Sequence, residues 1–135
     1  MEYCHDRAQD TDYCCCGLPD AKCFEDLTFV PQRPGSPVEM AVLWGNPATG
    51  PWGVLLKFPN GLGVPVHLHS ASYRAVIIAG APTHMLDGAT EPTQFEPGGY
   101  IYQPSGEFHS NANLSGEDAL VLVMYDGPMD AISKQ

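Results

Sequence analysis

The stretch Gly61-Leu62-Gly63-Val64-Pro65-Val66-His67-Leu68-His69 sets two histidines one residue apart. In extended backbone, side chains alternate between faces, so His67 and His69 share one face while Val66 and Leu68 share the other. A strand of this kind offers two imidazoles to one ion. A third histidine, His109, follows the turn Pro104-Ser105-Gly106 at the start of another extended stretch. Three neutral imidazoles converging in a small barrel suit a divalent transition metal such as Fe, Zn, Ni or Cu.

Outward from these histidines the chain keeps one style. Apolar or alternating runs of strand length occupy Leu27–Val30, Met40–Leu43, Gly53–Phe58, Val64–His69, Tyr73–Ile78, Tyr100–Gln103, Phe108–Asn111 and Ala119–Tyr125. They are rich in Val, Ile, Leu, Phe and Tyr and are separated by Pro-Gly, Asn-Gly, Asp-Gly and Gly-Gly turn signals. With 14 Gly and 13 Pro in 135 residues, turns are frequent, and no helical period is sustained from residue 24 onward. The chain reads as all-β, a jelly roll or barrel. Its length and 44% hydrophobic content suit one domain, expected over residues 24–135. Residues 1–23, polar and cysteine-rich, read as an arm, and Met129–Gln135 as a short tail.

All five cysteines, Cys4, Cys14, Cys15, Cys16 and Cys23, lie in that arm. An odd count without C-x-x-C spacing fits neither a disulfide scaffold nor a standard zinc knuckle. The formal charge of −10 repels phosphate backbones and anionic lipids, which argues against nucleic acid and membrane surfaces as partners. The longest apolar run, Ala119–Tyr125, is far too short to span a bilayer as a helix. The first residues, Met1 to Asp6, show no basic and apolar regions of a secretory signal, so the expected location is cytoplasmic.

The two histidine stretches resemble the signature motifs of the cupin superfamily. The first, G-x5-H-x-H-x(3,4)-E-x6-G, is met by Gly61, His67, His69 and Gly80, with Tyr73 standing where the Glu is expected. The second, G-x5-P-x-G-x2-H-x3-N, is met by Gly98, Pro104, Gly106, His109 and Asn113. The resemblance implies a double-stranded β-helix with one divalent metal per subunit held by His67, His69 and His109, iron foremost with zinc or nickel open. Trp44-Gly45-Asn46-Pro47 with Thr49-Gly50-Pro51 is similar to a small cupin family without an assigned biochemical function. The three-histidine set resembles cupin dioxygenases of the acetylacetone-cleaving type.

Tyr73 in place of the carboxylate leaves such a centre near a charge of +2, which favours a small anionic, chelating substrate. The expected function is thus a non-haem metal-dependent dioxygenase acting on a chelating acid or dicarbonyl. The alternatives are a non-catalytic or sensory cupin, similar to anti-sigma-factor domains, and a metal-dependent isomerase or lyase. Tyr73 either hydrogen-bonds substrate or a metal-bound water, or packs in the barrel mouth. Glu107 either supplies a carboxylate or faces solvent. His84 either reaches the pocket or is a partly buried polar residue. Phe58, Tyr100, Tyr102 and Phe108 are expected to shape the pocket or fill the core. The apolar outer face at Val66 and Leu68 needs a cover, expected from another element or from a second subunit in a homodimer.

Overall fold

Ala119–Tyr125 alternates strictly: Ala119, Val121, Val123 and Tyr125 are buried, while Leu120, Leu122 and Met124 are half-buried on the other side. The computed structural model, which describes residues 21–135, places this run at the centre of the larger of two antiparallel sheets. In chain order the strands are β1 (Val30–Pro31), β2 (Glu39–Gly45), β3 (Trp52–Phe58), β4 (Leu62–Leu68), β5 (Tyr73–Ala79), β6 (Thr83–Leu86), β7 (Thr93–Gln94), β8 (Tyr100–Gln103), β9 (His109–Asn113), β10 (Ala119–Tyr125) and β11 (Ile132–Ser133). One sheet runs β1-β2-β3-β10-β5-β8 and the other β11-β4-β9-β6-β7, the double-sheet arrangement of a jelly roll. The only helical element among the described residues is a 3-10 turn, Phe24–Asp26.

Register explains the core. Tyr125 pairs with Trp52 on β3 and Tyr73 on β5, Val123 with Val54 and Ala75, and Val121 with Leu56 and Ile77. Every member of these three rungs is buried and points between the sheets. The indole of Trp52 stacks on the Tyr125 ring at 4.8 Å and 7°, closing one end of the barrel interior. Each such side chain withdrawn from water contributes on the order of 2 kcal/mol.

Two clips tie the motifs to one another. Gly61, at φ +89°, donates its N–H to the Asn113 carbonyl at 2.7 Å, a conformation that suits glycine. Asn113 is almost fully buried, and its Nδ2 donates to the carbonyls of Phe58 (2.9 Å) and Glu117 (2.8 Å). At the other end Gly106, at φ +77°, donates to the His69 carbonyl at 2.9 Å, and the Ser105 N–H donates to Ser72 Oγ at 3.0 Å. The turn that aims His109 is thereby bonded to the end of the strand that carries His67.

Tyr100–Gln103 and Ala119–Tyr125 form strands with the bounds expected from sequence. The Leu27–Val30 run contributes only its last residue to β1. The expected tail is a correction: Ile132 and Ser133 form β11, which pairs with Leu68 and His67 and covers the β4 edge from within the chain. The arm expected over residues 1–23, with Cys4, Cys14, Cys15 and Cys16, lies outside the described residues apart from 21–23; Cys23 is disulfide-bonded. Among the described residues no helix is long and apolar enough to cross a membrane.

Replacing Asn113 by Ala removes the buried amide that donates to the carbonyls of Phe58 and Glu117, the second of which keeps the Ser115 hydroxyl at 3.3 Å. The expected cost is about 2 kcal/mol in urea unfolding, with a cooperative transition retained. A loss below ~0.5 kcal/mol would show that the carbonyls of Phe58 and Glu117 find other partners.

Candidate metal centre

His67 lies on β4, His69 one residue beyond its end, and His109 at the start of β9 directly opposite His67. Pro65 interrupts the β4 ladder: register with β9 shifts between Val64 and His67, where a residue without an N–H is tolerated. The Pro65 carbonyl then accepts the His67 Nδ1–H at 2.7 Å. His69 Nδ1–H donates to the Asp130 carbonyl at 2.5 Å, and His109 Nδ1–H donates to the Glu107 carbonyl at 3.0 Å. All three rings are held by main-chain acceptors, which fixes the tautomer and leaves each Nε2 as a lone-pair donor.

Those donors converge. One ligand atom from each of His67, His69 and His109 lies within 4.8 Å of the others, and the Nε2 atoms of His67 and His69 are 3.2 Å apart. Two acceptor nitrogens at that distance repel unless a proton or a cation stands between them. A proton would turn one ring into a buried imidazolium, so the donor set fits a divalent transition ion, whose bonds to imidazole nitrogen are about 2.1 Å. Burial pushes the pKa of His109 down to about 4 and lowers that of His69, which keeps both rings in the neutral form a metal requires.

Tyr73 opens β5, buried, with its hydroxyl 3.4 Å from His109 Nε2. Its phenol therefore faces the centre from the position of the motif's missing carboxylate. Burial and the neighbouring Tyr125 push its pKa well above the ordinary phenol value, so it is a proton holder.

The other expected site residues divide. Phe58 lines a cavity of about 350 Å³ that also reaches His67, His69 and Tyr73. His84 is buried and stacks on His109 at 5.1 Å, but does not line that cavity. Its Nε2–H donates to Gln103 Oε1 at 2.7 Å, and its Nδ1 accepts from Asn111 Nδ2 at 2.8 Å, so neither nitrogen is free for a metal. Gln103, almost wholly buried, passes this order on, since its Nε2 donates at 3.3 Å to the same Glu107 carbonyl that holds His109. Glu107 thus acts through its main chain, and its exposed side chain supplies no carboxylate to the centre.

Tyr100, Tyr102 and Phe108 do not line the cavity. On β8 the alternation turns Gln103 inward and both tyrosines outward, half-exposed. Tyr102 pairs with Arg74 and lies under its guanidinium at 4.9 Å, a contact that gives an aromatic ring a stable place on the surface. Phe108 is half-buried beneath Lys134.

Sequence reasoning missed Asp130, Gln103 and Tyr125. Asp130 works through a main-chain carbonyl, which leaves no trace in side-chain type. Gln103 had a signal: period-two alternation with an outward Arg74 opposite Tyr102.

A double-stranded β-helix with three histidines and a tyrosine facing its interior defines a cupin with a candidate divalent-metal site. Residues 21–130 match the model of the ChrR cupin-like domain, and the chain belongs to that family. No curated protein matches the chain. Its fold is similar to the polyketide cyclase RemF from Streptomyces resistomycificus, with a TM-score of 0.68 and 21% identity over 82% of each chain. It is similar to KdgF from Halomonas sp., with a TM-score of 0.64 and 21% identity over 80% of this chain and 94% of that one. The DMSP lyase DddQ from Ruegeria pomeroyi DSS-3 gives a TM-score of 0.61 at 22% identity over 82% of this chain. The chain spans only 53% of that lyase.

His109→Ala is expected to abolish stoichiometric metal binding, read by elemental analysis, while the barrel stays folded. Gln103→Leu should keep the stoichiometry but weaken metal affinity about tenfold or more in a chelator competition. Wild-type metal content in the alanine variant would remove the three-histidine assignment.

The depressed histidine pKa values set a pH dependence for the metal-free protein. Unfolded imidazole takes up its proton near pH 6.5, while folded His109 waits until about 4. In that window the unfolded chain binds more protons, so stability is full above about 6.5 and is lost as pH falls toward 4. Urea midpoints across this range should drop on acidification, and less steeply in His109→Gln. An equal slope in the two proteins would show that His109 is not the group concerned.

Proposed function

We propose that this cupin is a non-haem metal-dependent dioxygenase acting on a small chelating acid or dicarbonyl. The observation that carries the reading is a donor set of three imidazoles, with a phenol in place of a carboxylate, beside a cavity of about 350 Å³ that no acidic side chain among the described residues lines. His67, His69 and His109 would hold the ion; iron suits the redox chemistry, and zinc or nickel suits the same nitrogens. A divalent iron held there would supply about two positive charges that no carboxylate of the three-histidine set neutralises, and the redox chemistry that a reaction of an anionic chelator with dioxygen needs.

The remaining work belongs to the chain. Tyr73 holds its proton at the inner end of the cavity, where the phenol can donate to an oxygen of the substrate. Leu56, Ile77, Val121 and Val123 line the cavity with hydrocarbon and limit water around the reacting atoms. Tyr125 meets both Tyr73 and His69, at ring separations of 5.3 and 5.8 Å, and limits the room in which the phenol and the imidazole can move.

A second reading, a metal-binding sensory domain without turnover, draws on the family match to ChrR. A lyase or isomerase is the third, supported by the likeness to a DMSP lyase. An oxygen electrode separates them. Iron-loaded protein given β-diketones and 2-oxo acids is expected to consume oxygen in step with substrate. Substrate loss without oxygen uptake would favour the lyase, and binding with neither would favour the sensor.

Tyr73→Glu tests the charge argument. A carboxylate takes one position and removes one unit of positive charge, so the variant should hold metal more tightly and bind acetylacetonate about tenfold more weakly. The titration follows charge-transfer absorption of the iron-loaded proteins at equal occupancy. Equal affinity in both would show that the side chain at position 73 does not act on the centre.

A further inference from the structure

Arg33 lies on the turn between β1 and β2, which is closed by the Gln32 N–H on the Val38 carbonyl and the Ser36 N–H on the Arg33 carbonyl, both at 2.9 Å. Arg33 is exposed and lines the same cavity as His67 and His69, and among the described residues it is the only Lys or Arg that does. Three other cations are engaged elsewhere: Lys57 lies over the Phe29 ring, Arg74 pairs with Asp126, and Lys134 pairs with Asp87. Among the described residues the Arg33 guanidinium has neither an ion pair nor a hydrogen bond, although the chain carries sixteen Asp and Glu. Since no Asp or Glu among the described residues lines the cavity, none of them compensates this fork of donors.

Its place along the barrel differs from that of the histidines. The turn leads into β2, where Met40 stands level with Leu56, and Leu56 with Val121. The histidines stand by Tyr73 and Tyr125. Val121 and Tyr125 are four residues apart on β10, about 13 Å of strand. Between the two levels the larger sheet contributes an apolar wall, Leu56, Phe58, Ile77, Val121 and Val123, which faces Thr83 and Asn111 on the other sheet.

We propose that Arg33 binds a second anionic group of the ligand, so that the molecule taken by this site has a chelating head at the histidines, an apolar body along the barrel and a distal carboxylate at the cavity mouth. This deepens the reading in which the histidine centre holds the chelating head. A guanidinium recognises a carboxylate through paired N–H donors, and the acid-free wall imposes no competing repulsion.

The test uses zinc-loaded full-length protein and calorimetry with matched pairs, a 2-oxo monocarboxylate and the 2-oxo dicarboxylate of equal chain length, over a graded series. At the length that spans the cavity the dicarboxylate should bind about tenfold more tightly. That preference should vanish in Arg33→Gln, persist in part in Arg33→Lys, and leave monocarboxylate binding unchanged. Because the side chain is exposed and the turn is closed by main-chain bonds, both variants should fold. No preference at any length in wild type, or a preference that survives in Arg33→Gln, overturns the proposal. Repeating the titrations without zinc separates the two claims. A preference that depends on Arg33 while both affinities ignore zinc keeps the arginine site and removes the metal-held head. Zinc-dependent binding without a preference does the reverse.

Discussion

Three lone pairs are forced to face one another because three main-chain carbonyls have taken the other side of each imidazole. Had the rings been free to flip, His67 and His69 could have shared a proton and the repulsion would have gone. Pro65, Glu107 and Asp130 prevent that, each with one carbonyl, and each from a different irregular position in the chain: a bulge, a turn and the segment before β11. The irregularities thus have a purpose. A regular ladder would have used those carbonyls in pairing, and the imidazoles would have had no fixed tautomer.

The same logic explains why the apolar sheet and the polar centre coexist. Inward residues of β3, β5 and β10 fill the barrel in level rungs, and outside the histidine centre the buried side-chain polar atoms of the described residues are paired with one exception. His84, Gln103 and the half-buried Asn111 form a connected set in which donors and acceptors match, so the burial of two polar side chains beside His109 carries little penalty. The exception is the indole N–H of Trp52, which is buried without a partner. Trp52 is retained there by its stacking on Tyr125, which the apolar rung below supports.

Much of this was legible in residue order. Alternation located the central strand Ala119–Tyr125 to the residue, and the two motifs brought His67, His69 and His109 together across β4 and β9. What stayed hidden was information that side-chain type does not carry. Asp130 serves by its carbonyl; Glu107 looks like a ligand and serves by its carbonyl as well. Tyr100 and Tyr102 look like pocket walls by size, yet strand parity gives the interior to Ile101 and Gln103 and leaves the rings to the surface. Two-residue strands such as β7 and β11 are shorter than any periodicity, so their existence follows only from the edge that they cover.

The smallest of these strands has the widest reach. Both residues of β11 are exposed, and its hold on β4 is two residue pairs and the Lys134 N–H on the Val66 carbonyl, the kind of short exposed edge that sits at the low end of local stabilities within a domain. Asp130 sits just ahead of it. Its carboxylate accepts from the Ser70 N–H at 2.9 Å and from the Ser70 hydroxyl, so an opening of the C-terminal segment that also broke this clasp would take from the His69 ring the acceptor that fixes its tautomer, while His67 and His109 kept theirs on the barrel proper. One ligand of three would then follow a local opening equilibrium, whereas the other two would follow that of the barrel. By linkage, an ion that needs all three favours the closed end, and occupancy of the centre and order at the terminus rise together.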